Sequence, residues 1–549
     1  PLLTQAHHEV AFCAPLWEFR ADRAAMPLSA LCWNGGVAAV AVEPYSQSEA
    51  GTIRNGVFAA LPDAFGVSLG YTNDPVTFKN RSTAAPSTRN MACKAQTSGT
   101  IYLRHGPRTE LHEIIRQEYA RHQDRAVPRN TLRQAVQGML DTFAYQNFDA
   151  AAGEYTNRCC RPPRETEMRP WRLVTEIGWT GGGVLAYPLV LCRDALGADA
   201  EAPLAAAMSG EQLFDRIADA YNENSGLLND LMVPNAAGSQ VNGWWTGYGL
   251  VKDCHCAYTV GSAVHYLTKT MDYLHQNGKP CPAKWMDAAQ KVLHTVMDLQ
   301  RADGAFGYTY STQERKVLDW SGFAGCWFAP ALVYLYRLTG EERCLHSAEK
   351  ALDYYHTFVK DLNCYGTPMD TWKAVDEEGN LAFMRGSRLL YEQTGKAEFL
   401  QYMKDSAGYE FLWRYGYKTY PEHTPLNQGW SACGGAVTSV SNPHIHPMGV
   451  IIDTDLRYLA RVTGDGYYAS RAADSAAWML QCLELYPAAT GYGRYGILSE
   501  RWCPSDGLDV ERFSDGRPFS SWFSHNLWAS ACVLEAACEL LLEIEHKKG

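Results

Sequence analysis

The chain has 549 residues, of which 46% are apolar and 20% charged, and its formal net charge is −11 at pH 7. That length exceeds one ordinary core and calls for a very large domain or several. The acidic balance, without any block of Lys or Arg, argues against a nucleic-acid partner, and no run of about 18 apolar residues is present to span a membrane.

Residues 1–106 read as strands rather than helices. The segments 28–44, 51–62, 64–72 and 98–106 are short, apolar, β-branched or aromatic, and broken by Gly, Pro, Asn and Asp. Thr100, Tyr102 and Arg104 alternate with Ile101 and Leu103, as in a half-buried strand. A β-sandwich domain is expected over 1–106, and the start at Pro1 rather than Met leaves room for missing first strands. Pro107 then opens a linker helix within 107–128, with Leu111, Ile114, Ile115 and Tyr119 on one face.

From 129 to 549 one unit recurs. Its clearest copy spans Leu318 to Val359: a helix rich in small residues (Gly322, Ala324, Gly325, Ala329, Ala331), a stop at Thr339-Gly340, and a second helix. That second helix repeats apolar residues at Leu345, Ala348, Leu352, Tyr355 and Val359, near the helical period. Twelve helices are predicted, near 130–147, 181–196, 209–224, 259–277, 282–300, 322–339, 343–361, 380–394, 397–415, 448–463, 467–485 and 522–545. Thr-Gly turns recur at Thr339-Gly340, Thr394-Gly395 and Thr463-Gly464, with Leu196-Gly197 and Asn277-Gly278 in equivalent places.

The connections after the first, third, fifth, seventh, ninth and eleventh of these helices are long, and the others are mostly short. In an up-and-down arrangement all the long ones gather at one end. Six pairs close into a ring with even-numbered helices inside, where the small residues Gly181 to Gly183, Gly261-Ser262-Ala263 and Gly322-Phe323-Ala324 suit a crowded centre. The expected fold is therefore mainly α: an (α/α)6 toroid of six helical hairpins behind a β-sandwich and a linker helix.

A β-sandwich, a linker helix, six hairpins and the Leu-Tyr-x-x-Thr-Gly turn (Leu335 to Gly340, Leu390 to Gly395) resemble the six-hairpin glycosidase superfamily over essentially the whole chain. The resemblance implies a carbohydrate-active enzyme and does not choose among hydrolases, epimerases, phosphorylases and related lyases. The long connections hold eight of the sixteen tryptophans: Trp171, Trp179, Trp244, Trp245, Trp320, Trp372, Trp430 and Trp502. Solvated loops gain nothing from such side chains, whereas sugar rings offer apolar faces to an aromatic wall. Packing under the helix ends is the competing reading.

Glycoside hydrolysis needs two carboxyl groups, one protonated for the leaving oxygen and one acting as base or nucleophile. Glu176, Asp319 and Asp370 each stand beside a Trp in a connection otherwise poor in charge, and they are the preferred pair with a reserve. Each is equally a helix cap by type. Asp303 reads as an Asp-Gly turn, and Glu377 and Glu378 as solvated loop. Arg164 and Arg172 in the first connection and Tyr492 and Arg494 in the last suit a uronate carboxylate, the competing reading being ion pairs with loop acids. The expected function is thus an oligosaccharide hydrolase, with uronic-acid-containing substrates suggested by the arginines.

His444 and His446, just before an inner helix, support a lyase with a His or Tyr base as the alternative. A sugar epimerase using the same histidines, or a non-catalytic carbohydrate-binding protein, follows behind. Cys254-His255-Cys256 and Cys159-Cys160 lack zinc-ligand spacing, and no phosphate-binding glycine motif occurs, so neither metal nor cofactor is expected. Seventeen scattered cysteines read as buried thiols, and with no signal peptide visible they favour the cytoplasm over secretion.

Overall fold

The structure is a computed structural model that describes residues 17–48, 51–60, 64–71, 100–122, 124–159, 169–174, 177, 182–197, 201, 204, 207–229, 243–246, 249–367, 373–419, 430–439, 442–485, 496, 498–502, 521–522, 524–525 and 527–546. Thirteen α-helices lie among them. They are α1 (Leu111–His122), α2 (Leu132–Thr142), α3 (Gly183–Leu196), α4 (Gly210–Asp219), α5 (Ala257–Gln276), α6 (Ala283–Asp298), α7 (Phe328–Thr339), α8 (Glu342–Lys360), α9 (Glu378–Thr394), α10 (Ala397–Glu410), α11 (Asp453–Thr463), α12 (Gly466–Cys482) and α13 (Leu527–His546). The helices α2 to α13 fall where the twelve predicted ones do.

Their neighbours define a closed ring. Helices α3, α5, α7, α9, α11 and α13 pack side by side in that order, and α13 packs on α3. Of the other seven, α1 is the linker, α2, α6, α8, α10 and α12 lie outside, each against the two inner helices it bridges (for example α8 against α7 and α9), and α4 lies outside against α3 and α6. Sequence explains the division. Nearly every residue of α5 is buried, with small residues at the tight approaches: a Cβ on Gly183 would lie 3.3 Å from the Ala263 Cα of the neighbouring inner helix. Outer α8 instead buries one stripe, including Leu345, Ala348, Leu352, Tyr355 and Val359.

Three outward hairpins share one turn. The hydroxyls of Thr339, Thr394 and Thr463 donate to the carbonyls of Leu335, Leu390 and Leu459 at 2.8, 2.8 and 2.6 Å. The same hydroxyls accept from the backbone N–H of Glu341, Lys396 and Asp465. Between each Thr and that N–H stands a glycine in the left-handed region, with φ of 73° at Gly340, 65° at Gly395 and 70° at Gly464. One threonine thus closes the old helix and starts the next, which makes these connections two residues long.

Ahead of the ring, Trp17–Arg20, Tyr45–Ser48, Gly51–Ala60 and Phe65–Tyr71 form one antiparallel sheet, and Leu28–Trp33, Gly36–Val42 and Ile101–Gly106 form another. A small apolar cluster of Ala21, Ala24, Val40, Val42 and Phe58 draws on both. Where a β-sandwich is expected, the described residues therefore form two antiparallel sheets sharing a few core residues. Helix α1 buries Leu111, Ile114, Ile115 and Tyr119, the face read from the sequence. Polar bonds fix it on α12: Tyr119 donates to Asp474 at 2.6 Å, and Arg116 forks Asp465 at 2.7 and 2.9 Å.

Candidate functional site at the mouth of the ring

All six long connections run from an outer helix into the N-terminus of an inner one. They meet there and pair with one another. Strand Glu154–Cys159 of the first connection pairs with Ser524–His525 of the sixth, and Cys254–Cys256 of the second with Thr309–Ser311 of the third. Phe323 N–H of the third donates to the Tyr365 carbonyl of the fourth, Asp376 of the fourth bridges Ser439 of the fifth, and Ile445 of the fifth pairs with Trp502 of the sixth. Local strands in sequence terms, these are long-range contacts in the fold, and they build one rim.

Inside the rim, a small pocket lies among the inner helices. Its wall is made of Tyr258, Ser262 and Tyr266 of α5, Trp327 just before α7, Met448 just before α11, and Trp528 of α13. The Nε1–H of Trp327 is buried and lacks a hydrogen-bond partner. Four aromatic rings with a few polar groups at the N-terminal ends of helices suit a ligand that has both apolar faces and hydroxyls.

A second buried carboxyl beside this wall, besides Glu535 below it, is Glu378, the first residue of α9. Three acids, Asp376, Glu377 and Glu378, precede or open that helix, and only one of them caps it. Asp376 accepts the N–H groups of Gly379 and Thr367, both at 3.0 Å, and so takes the capping task. Glu378 lies towards Tyr258, whose hydroxyl is directed at Met448 Sδ at 3.8 Å and is held far above the usual tyrosine range by burial first and then by the Glu378 charge. Glu377 turns the other way, towards Glu410, Asp453 and Arg414. Arg414 Nε donates to Glu410 Oε1 at 2.9 Å, Nη1 to Asp453 Oδ1 at 2.8 Å, and Nη2 to the Gly449 carbonyl at 2.7 Å. A Cβ on Gly449 would press on both Glu377 and Glu410. Burial, followed by the neighbouring Glu410 charge, drives the Glu377 carboxyl well above the usual glutamate range. Burial also lifts Asp453 to about 6, against the pull of Arg414.

The solvated-loop reading of Glu377 and Glu378 is therefore corrected: they are 0% and 6% exposed. The segment is short and charged, but the fifth connection lies across it, with Glu377 N–H donating to the Thr438 carbonyl at 2.8 Å. Sequence reasoning also passed over Tyr258, Trp327 and Trp528. The available signal was the run of three acids at one helix start, more than capping needs.

Of the other candidates, Asp319 stands half-buried on the rim. Its carboxylate accepts Lys373 Nζ and the Ser321 N–H at 2.7 and 2.8 Å. Trp320 is partly exposed beneath the Arg301 guanidinium, 5.2 Å from its ring centre. Trp430 is buried, stacked on Trp502 at 6.2 Å, with its indole N–H directed at Cys482 Sγ, so it packs beneath the rim rather than lining an open wall. His446 is also buried, stacked on Trp528 behind the pocket. Trp244 and Trp245 lie on strand Gly243–Thr246, Arg172 on Arg169–Val174 and His444 on Asn442–His446. Glu176, Asp370, Trp179, Trp372, Arg164, Tyr492 and Arg494 fall outside the described residues. Asp303 is the turn residue expected, bonded to Arg301 and to the Ala305 N–H.

Below the pocket, Tyr266 donates to Glu535 at 2.9 Å, and Glu535 is ion-paired with the buried Lys269. Among the described residues, no three or more His, Cys, Asp or Glu are grouped to hold a metal ion, and no helix is long and apolar enough to cross a membrane. His255 is instead bonded to Ser225 at 2.9 Å.

No protein-family model matches the chain, and no curated protein does. Solved structures do resemble it. A family 76 glycoside hydrolase from a bovine Bacteroides thetaiotaomicron strain aligns at 12% identity and a TM-score of 0.48, over 94% of this chain and 98% of its own. Cellobiose 2-epimerase from Spirochaeta thermophila aligns at 13% and 0.47, over 80% and 99%. Unsaturated glucuronyl hydrolase from Streptococcus agalactiae aligns at 13% and 0.43, over 75% and 91%.

Proposed function

We propose that the chain is a carbohydrate-active enzyme, a glycoside hydrolase that takes oligosaccharides, uronate-containing ones included, at the mouth of the ring. One observation carries this reading: a small pocket with aromatic walls stands beside a buried carboxyl, Glu378, whose charge bears on the hydroxyl of a wall residue, Tyr258. Apolar sugar faces stack on rings such as Trp327 and Trp528, while hydroxyls take the unpaired Trp327 N–H. Glu378 serves as one carboxyl of the pair that glycoside hydrolysis requires. Asp319, paired with the Lys373 ammonium, is suited by its charge to the other role, as base or nucleophile, with Glu176 and Asp370 as further candidates from the same rim.

The test is hydrolysis of a panel of chromogenic glycosides that includes glucuronides and galacturonides, followed alongside ultraviolet absorbance on uronate polymers. Glu378→Gln should lower kcat by about 10²–10⁴-fold, and Asp319→Asn should lower it by a similar factor. Unchanged hydrolysis in Glu378→Gln removes the assignment. An unsaturated, ultraviolet-absorbing product would instead mark elimination.

A further inference from the structure

Cys192 of α3 and Cys538 of α13 bring their sulfur atoms to 3.6 Å, although 346 residues separate them in the chain. Both thiols are free and buried. They sit at a particular seam. Each other neighbouring pair of inner helices is joined through the chain by an outer helix and a rim connection, whereas α3 and α13 are the first and last inner helices and meet only because the ring closes. The seam is otherwise held by apolar packing and by polar bonds such as Tyr187 Oη to Glu539 Oε1 at 3.1 Å. Sulfurs already in contact need a modest side-chain adjustment to reach the bonded distance of about 2.05 Å.

We propose that this pair is a modification site: under oxidising conditions Cys192 and Cys538 form a disulfide that ties the last inner helix to the first. With a small disulfide such as oxidised glutathione as the oxidant, one cysteine loses its proton and its thiolate attacks the reagent, expelling one glutathione thiolate and leaving a mixed disulfide. The second cysteine thiolate then attacks the protein sulfur of that mixed disulfide and expels the other glutathione. One S–S bond breaks and one forms, the two cysteines are oxidised, and their two protons end on two molecules of reduced glutathione.

Burial, with the Cys192 thiol beside it, holds the Cys538 thiol well above its usual range. Exchange therefore proceeds while the chain folds or when α13 opens locally, and the finished bond is shielded from reductant in the same way. A bond across so long a loop removes much of the freedom of the unfolded chain.

The full chain is refolded from denaturant in a glutathione redox buffer, and a second native sample is incubated with oxidised glutathione. Both are alkylated and digested without reduction. The expected result in the refolded sample is a linked Cys192–Cys538 peptide pair, about 2 Da lighter than its two free components together. The oxidised protein should melt on the order of 5 °C above the reduced one, and this gap should vanish in both Cys538→Ala and Cys192→Ala. Absence of the linked pair from both samples overturns the proposal, as does a gap of the same size in either alanine variant.

Discussion

Beneath Gly449 the carboxyls of Glu377, Glu410 and Asp453 share one guanidinium, that of Arg414, in a space closed to water. Three carboxylates against one cation would leave two uncompensated buried charges, so the cluster keeps a proton that bulk water would take, and Glu377 is where burial and Glu410 hold it. The sign of the consequence follows from linkage. A carboxyl with a folded pKa above its unfolded one binds, in the native state, a proton that the unfolded chain releases, so stability falls as pH rises between the two values. For Asp453 that window runs from the ordinary aspartate value to about 6, which corresponds to roughly 3 kcal/mol, and Glu377 extends it upward. Glu539 works in the opposite sense. Burial opposes its charge, but Lys269 and Arg385 hold it down to about 2, so its contribution is complete above the usual glutamate range and lost as pH falls towards 2. Stability should therefore climb from acid to about pH 4.5 and decline through about pH 6. Urea midpoints across a pH series should trace this curve in the native chain. Glu377→Gln, whose amide mimics the protonated acid, should flatten the part of the decline above about pH 6 while leaving the Asp453 part, and an unaltered decline above about pH 6 would remove Glu377 as its source.

At the scale of single elements, the shared turn sets the cost of change. A Cβ on Gly395 would meet nothing within 4 Å, so any penalty in Gly395→Ala comes from the left-handed backbone alone. That penalty should be about 1 kcal/mol, and smaller in Gly395→Asn, because asparagine tolerates the conformation better; thermal unfolding of the two variants reads the difference. These turns, and the helices on either side, were legible in the sequence because everything that makes them lies within a few residues: the Thr hydroxyl, the glycine and the apolar repeat. Even the assignment of inner and outer helices followed from small residues in one set and apolar stripes in the other. The rim was not legible in the same way. Its strands are two to six residues long and pair with other connections, as Ile445 does with Trp502, so no local pattern announces them. Glu378 was missed for a related reason. Which of three consecutive acids caps α9 depends on Thr367, and where the other two turn depends on Tyr258 and Arg414, all brought in from elsewhere. Trp430 shows the converse, an aromatic in a connection that packs inward because Trp502 and Cys482 wait beneath it.

The ring as a whole is held at its centre by charge as well as by packing. Lys269 of α5 forms ion pairs with Glu535 and Glu539 of α13. Arg385 of α9 reaches Asp455 of α11 at 2.8 Å and the Ile451 carbonyl at 2.9 Å. Thr454 of α11 and Tyr187 of α3 both donate to Glu539, which ties five of the six inner helices into one network. Buried ion pairs are poor sources of net stability, because desolvation offsets most of the attraction, but removing one partner strands the other in a dry interior. Each of these links joins helices far apart in the chain, so the network specifies which helices meet rather than which residues are helical. Lys269→Met isolates the effect, since it keeps most of the side-chain volume and removes the cation shared by two glutamates. It should destabilise the chain by about 3–5 kcal/mol in urea unfolding. Adding Glu535→Gln to the same variant should recover part of that loss, because one of the two stranded carboxylates is then neutral and can still accept from Tyr266. If Lys269→Met alone costs less than about 1 kcal/mol, or the second substitution adds to the loss instead of relieving it, the axial charges are incidental and apolar packing alone closes the ring.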